Sequence, residues 1–298
     1  MISRKAEKYI NNWIDKPNRA LLVAGARQVG KTFTIRKCLK NKGCNYIEIN
    51  LIENSEFIHA LEQATTIEEL RLNISALKDV VFKDNETFLF IDEVQEYKDV
   101  ITKIKFWVDD GRIKLILSGS LLGVELRDLR SAPVGYMDEL DMYPLDFEEF
   151  VMASGVTLET IDYLKKCFTD REPVTDVINK KMLTHLNRYL VVGGMPAAVN
   201  SYIETGNVGE VSTIQENIIR QYRVDFTKYE KDEKKFMLTA IYDQIPSQLL
   251  KQNKRFNYSD IKKKLRFEKL ENSFLWLKYA GVAIATVNVT EPRIALNQ

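Results

Sequence analysis

The run Gly25-Ala26-Arg27-Gln28-Val29-Gly30-Lys31-Thr32 sets two glycines around four variable residues and follows the second with a lysine and a hydroxyl. Every fixed position of the G-x-x-x-x-G-K-[ST] phosphate-binding loop, the Walker A pattern, is met. A glycine at each end lets the backbone curl until its N–H groups point inward at phosphate oxygens, beside the positive end of a following helix. Lys31 adds a cation for the β and γ phosphates, and Thr32 adds a hydroxyl that ligates Mg²⁺. The residues expected to line a bound nucleotide are Gly25, Ala26, Arg27, Gln28, Val29, Gly30, Lys31, Thr32 and Phe33.

A second constellation lies about sixty residues downstream, where the apolar run Thr87 to Ile91 ends in Asp92 and Glu93. Carboxylates at the carboxyl end of a parallel strand face the crevice in which ligands of open α/β sheets bind. Asp92 is then expected to hold Mg²⁺ with Thr32, in the manner of a Walker B acid, while Glu93 orients and polarises the attacking water. Alone, such a pair reads as a solvated turn. The upstream loop reverses that reading and makes ATP and Mg²⁺ the expected ligands. A third apolar run, Lys114 to Leu117, enters Ser118-Gly119-Ser120. A Glu directly after the metal-site Asp resembles the P-loop division in which an extra strand separates the loop strand from the acidic strand. Lys114 to Leu117 is the candidate for that strand, and Ser118 or Ser120 at its end for sensing the γ phosphate; Ser118 joins Lys31 and Glu93 as a catalytic candidate.

These residues require elements to hold them. Residues 3 to 15 read as an amphipathic helix closed by Pro17. Ala20 to Ala24, Tyr46 to Leu51, Thr87 to Ile91 and Lys114 to Leu117 read as buried strands with helix-length segments between them, the pattern of a parallel sheet covered on both faces. After Phe147 the pattern becomes helical, over Leu158 to Phe168, Lys181 to Val192, Pro196 to Glu204 and Val208 to Val224. The charged run Lys228 to Lys235 suggests a boundary. Beyond it, Phe236 to Ile245, Ser259 to Leu265 and Glu268 to Tyr279 read as short helices and Val282 to Val289 as a strand, which suggests a winged helix. The expected fold is an α/β P-loop core with a parallel sheet (1–155), a helical lid (156–230) and a winged-helix-like domain (231–298).

Composition narrows the alternatives. The 298 residues suit two or three compact units, and 45% apolar residues can fill their cores. With 43 basic against 42 acidic residues, the whole surface is unsuited to coating nucleic acid or membrane. Cys38, Cys44 and Cys167 form no ligand or redox spacing, and His59 and His185 are the only histidines, so a histidine metal centre or a Ser-His-Asp triad has little to draw on. No signal-peptide core and no run of about eighteen apolar residues occurs, so a cytoplasmic chain without membrane contact is expected.

Taken together, GARQVGKT, FLFIDEVQ, LILSGSLLG, MYPLDFEEF and YLVVGGMPAAV resemble a prokaryotic family of AAA-type ATPases in which the ATPase part precedes a C-terminal domain of unknown function. The resemblance implies an ATPase core, a helical lid and a winged helix. It also implies that Gly194-Met195-Pro196 is the glycine-x-proline element that related signalling ATPases place against adenine, which adds Pro196 to the nucleotide-binding set. Relatives often carry a basic residue after the glycine corresponding to Gly135, where Tyr136 stands here, so Arg127 and Arg130 become the substitutes for an arginine finger. Relatives also often carry a nuclease-like domain after the winged helix, and no nuclease constellation is visible in these residues.

Eight basic residues, Lys251, Lys254, Arg255, Lys262, Lys263, Lys264, Arg266 and Lys269, fall between positions 251 and 269. On a helix-turn-helix they would neutralise duplex DNA phosphates; on a solvated face, or against the acidic stretch Asp138 to Glu149, they would not. Two function classes follow: an ATPase that moves its lid and winged helix, with a homo-oligomer as its possible assembly, and an ATP-controlled DNA-binding switch with little turnover.

Overall fold

The computed structural model describes residues 2–120, 135–229, 232–253, 256–257 and 267–286 of the chain. It divides into two compact units, Met1–Val224 and Asp225–Gln298. The first unit opens with helix α1 (Lys5–Asp15), strand β1 (Ala20–Ala24), helix α2 (Lys31–Asn41) and strand β2 (Asn45–Asn50). Helices α3 (Glu56–Gln63) and α4 (Ile67–Lys78), strand β3 (Thr87–Asp92), the 3₁₀ turn Val94–Tyr97, helix α5 (Val100–Asp110) and strands β4 (Lys114–Gly119) and β5 (Met137–Asp141) complete its sheet layer.

The sheet order is β2-β3-β4-β1-β5, and every neighbouring pair is parallel. Strand β4 therefore lies between the loop-bearing β1 and the acidic β3, as the resemblance to the P-loop division with an inserted strand implies. Alternation along the strands sends residues to two cores. Leu22, Leu89, Ile91, Leu115 and Leu117 pack with Leu61, Leu70, Ile104 and Trp107 on one face. Leu21, Val23, Phe88, Phe90 and Ile116 pack with Ile10, Trp13, Ile35 and Leu39 on the other. Burial on both faces is why these strands read as continuous apolar runs.

Strand β5 has no such signature. Its sequence, Met-Asp-Glu-Leu-Asp, occupies the edge beside β1 and is only partly buried, so half-exposed polar side chains replace the apolar run by which the other strands are legible.

Helices α6 (Phe147–Ala153), α7 (Leu158–Asp170), α8 (Asp176–Val192), α9 (Pro196–Thr205) and α10 (Val208–Tyr229) follow. They share a third core of Leu145, Phe150, Val156, Ile161, Val192, Val199 and Val211. Helix α6 starts with a capping box, Asp146 accepting from the Glu149 N–H while the Glu149 carboxylate accepts from the Asp146 N–H.

The second unit contains helix α11 (Asp232–Leu249) and helix α12 (Phe267–Tyr279). Phe226 meets Tyr242 and Trp276 edge-on, at centroid distances of 5.2 and 5.4 Å. Two of the expected short helices fall within α11 and α12, and the third, Ser259 to Leu265, lies outside the described residues. The expected strand from Val282 does not begin there, for residues 282–286 are turn and irregular backbone. The Val282 and Ala283 N–H groups both donate to the Leu277 carbonyl, behind Gly281 at φ +69°, so the helix end claims the donors that a strand would need.

Candidate active site

The loop between β1 and α2 holds its curl with three residues of positive φ: Gly25 at +151°, Gln28 at +64° and Gly30 at +95°. At Gly25 the need for glycine is steric as well, because a Cβ there would lie 2.1 Å from the Met142 carbonyl oxygen. Met142 follows β5 and donates its N–H to the Ala24 carbonyl at 2.7 Å, so the loop leaves the sheet pressed against that backbone.

Lys31 stands at the first turn of α2 with its side chain folded back into the loop. Its Nζ donates to the carbonyls of Gly25 at 3.0 Å and Ala26 at 2.8 Å. Burial pushes this amine down from its ordinary 10.5 to about 8, opposed by the carboxylates of Glu93 and Asp92 and aided by the Arg27 cation. An amine in that state is a charge awaiting a compensating anion.

Thr32 Oγ1 donates to Asp92 Oδ2 at 2.9 Å. The other oxygen of Asp92 accepts from the Ser118 hydroxyl and from the Glu93 N–H, the latter at 3.1 Å. The register places Ile91 opposite Leu117 and Val23 opposite Ser118, so the three strand ends bring hydroxyl, carboxylate and loop together. Glu93 has φ +59°, a left-handed conformation costing about 1 kcal/mol or more for a residue with a side chain. Its carboxylate accepts from the Gln95 carboxamide, whose oxygen accepts from the Ser120 N–H at 3.1 Å. Ser120 Oγ in turn accepts from Arg27 Nε at 3.4 Å.

Pro196 begins α9 near the loop: a Cβ built on Gly30 would have Pro196 Cγ at 3.8 Å and Arg4 Nη1 at 3.7 Å. The turn before Pro196 is tied to the segment after β5, since the Leu145 N–H donates to the Gly194 carbonyl at 2.7 Å. Phe33 lies one position past Thr32 and is exposed. The fold thus brings together Gly25, Ala26, Arg27, Gln28, Val29, Gly30, Lys31, Thr32, Asp92, Glu93, Ser118 and Pro196, whereas Arg127 and Arg130 lie outside the described residues, as do Lys254, Arg255, Lys262, Lys263, Lys264 and Arg266. Tyr136, at the departure from the family pattern, has Lys105 Nζ 5.6 Å from its ring centroid and accepts from the Ala20 N–H at 2.9 Å.

Several contributors carry no motif. Gln95 is buried between Glu93 and Ser120. Tyr222, on α10, donates its hydroxyl to the Arg27 carbonyl at 2.9 Å. Arg4, just ahead of α1, is 9% exposed and donates Nη1 to the Val29 carbonyl at 2.8 Å, Nη2 to the Tyr143 carbonyl at 2.6 Å and Nε to the Glu149 carboxylate at 3.1 Å. The only local trace of Arg4 in the sequence is Glu7, whose carboxylate accepts the Arg4 N–H at 2.9 Å.

The donor set fits Mg²⁺. The Thr32 hydroxyl and the Asp92 carboxylate are hard oxygen groups in contact, and magnesium is usually held by one or two carboxylates plus substrate phosphates rather than by an all-protein cage. Among the described residues, no group of three or more His, Cys, Asp or Glu side chains could hold a metal ion alone. Among those residues, too, no helix is long and apolar enough to cross a membrane.

Residues 17–151 match the family model described as an AAA domain, and residues 183–297 match a domain of unknown function. No curated protein sequence matches the chain. Among solved structures, a Walker-type ATPase of Pyrococcus abyssi is similar with a TM-score of 0.56 and 15% identity over 94% of this chain and 90% of that one. A signal-transduction ATPase with numerous domains and a tetratricopeptide repeat sensor, from Pyrococcus horikoshii, gives a TM-score of 0.42 and 12% identity over 94% of this chain and 39% of its own. By these matches residues 17–151 form an AAA domain, and a domain of unknown function follows it at residues 183–297.

Proposed function

We propose that the chain binds ATP with Mg²⁺ at the loop Gly25 to Phe33 and hydrolyses it. The observation that carries this reading is the convergence on Asp92, whose two oxygens accept from Thr32 at the loop and Ser118 at the end of β4, beside the buried amine of Lys31. In this reading Thr32 and Asp92 hold Mg²⁺, which when bound neutralises charge building on the β and γ phosphates. Lys31 exchanges its contacts with the Gly25 and Ala26 carbonyls for phosphate oxygens. Glu93 accepts a proton from the attacking water, while its Oε2 keeps the bond from Gln95. Ser118 reads the γ phosphate from the buried end of β4, and Pro196 packs toward the base.

The division into a core (1–155), a helical lid (156–230) and a winged-helix-like domain (231–298) belongs to the same proposal, in which turnover repositions the two later parts. A second reading, an ATP-controlled DNA-binding switch, rests on the eight basic residues between positions 251 and 269; ATP-dependent retention of duplex DNA is its signature.

The test compares wild type with two variants. Lys31→Ala is expected to abolish ATP binding in calorimetry. Glu93→Gln is expected to retain binding while turnover falls roughly 10²- to 10⁴-fold, the usual weight of a general base. Unchanged turnover in Glu93→Gln removes Glu93 from the mechanism, and no heat from wild type with magnesium nucleotide removes the whole reading.

A further inference from the structure

Three parts of the phosphate loop's backbone are held by side chains, and two of the holders come from outside it. Lys31 engages the Gly25 and Ala26 carbonyls from within. Tyr222 engages the Arg27 carbonyl from helix α10, and Arg4 the Val29 carbonyl from the residue just ahead of α1. The Arg4 position precedes the residues that match the AAA family model, which start at 17.

We propose that Arg4 is a positioning residue for nucleotide phosphate, acting through the Gly30 N–H. The peptide bonds described are all trans, and in a planar trans peptide the carbonyl of one residue and the N–H of the next point in opposite directions. A guanidinium that fixes the Val29 carbonyl outward therefore fixes the Gly30 N–H inward, toward the space the loop encloses. Three donor bonds to separate partners, Val29, Tyr143 and Glu149, leave the guanidinium little freedom to rotate. The Glu149 oxygen that meets Arg4 also accepts from the Lys5 N–H at 2.6 Å, so the start of α6 holds the anchor in turn. Arginine's planar fork suits this triangle; lysine, one ammonium on a flexible stem, matches the charge but cannot reach all three partners.

The inference rests on the nucleotide-binding reading, and the test separates the two. ATP and tripolyphosphate are titrated into wild type, Arg4→Lys and Glu149→Gln, with melting temperature read on the free proteins and steady-state turnover on ATP. In Arg4→Lys, affinity for both ligands is expected to fall about tenfold and KM to rise in step, while kcat at saturating ATP stays within about twofold. A loss confined to melting temperature would be a structural role only. A folded Arg4→Lys that binds both ligands as wild type does overturns the proposal. If Arg4→Lys fails to fold, Glu149→Gln decides: it keeps the side chain's shape, weakens the anchor on Arg4 Nε, and is expected to weaken both ligands severalfold, so wild-type affinity there overturns the proposal. Wild type binding neither ligand overturns the nucleotide reading, and this inference with it.

Discussion

At the scale of single residues, the candidate site is defined by polar groups that the fold buries. Lys31 is the clearest case. Its amine is pushed down to about 8 mainly by burial, while the unfolded chain would titrate near 10.5. Protonated Lys31 therefore costs the fold stability at all pH values below about 8, and the cost is relieved as pH rises from 8 to 10.5, where the unfolded state binds more protons. A bound triphosphate favours the charged amine and reverses the balance. ATP affinity is accordingly expected to stay level below pH 8 and to fall as pH rises above it, with proton uptake on binding at pH 9. Calorimetry in two buffers of different ionisation enthalpy measures that uptake, and Lys31→Arg, charged throughout the range, removes this residue's contribution to it. Lys31, Thr32, Asp92, Glu93 and Ser118 were legible because each stands at a fixed spacing or at the end of an apolar run. Arg4, Gln95 and Tyr222 were not, since their partners are fixed by the fold: Arg4 and Glu149 stand 145 positions apart, and Tyr222 and Arg27 stand 195 apart.

At the scale of elements, glycines allow backbones to touch where a side chain would hold them apart. A Cβ on Gly194 would lie 2.2 Å from the Leu145 carbonyl oxygen and 3.0 Å from its nitrogen. Tyr189 reaches the same carbonyl with its hydroxyl at 2.7 Å, so the end of α8, the turn and the start of α6 meet at one peptide. Gly194→Ala is expected to cost about 1–3 kcal/mol in urea unfolding, the usual toll of overpacking. By shifting Pro196 it is also expected to weaken ATP binding more than tripolyphosphate binding. The strands β1 to β4 were readable from near-continuous apolar runs, and helices α7 to α10 from their periodicity. Strand β5 was not, because it lies at an edge and carries three acids among its five residues, and the strand expected at Val282 lost its first donors to the end of α12.

At the scale of the molecule, an all-parallel sheet with cores on both faces sets the strand ends, and the site with them, along one edge of the first unit. That much followed from strands alternating with helices. The winged-helix reading of the second unit rests on short helices, of which Ser259 to Leu265 lies outside the described residues, and short amphipathic helices fit many arrangements. The formal net charge of +1 spreads no general attraction for a polyanion. Under the ATPase reading, fluorescence anisotropy is expected to show weak duplex DNA binding that fades between 50 and 200 mM salt and ignores ATP. Binding that survives the higher salt and changes with ATP would favour the switch.

Asp92 and Ser118 sit on neighbouring strands of a single hydrogen-bonded sheet, with Val23 opposite Ser118 completing the row. Such a ladder is stiff across its width. Under the proposed reading, whatever the serine hydroxyl detects leaves the sheet as a rotation about a buried side-chain bond and not as a movement of the strands. The slow clock of any catalytic cycle would then belong to the helical layer, and substitutions that change its tempo should be sought there before they are sought in the strands.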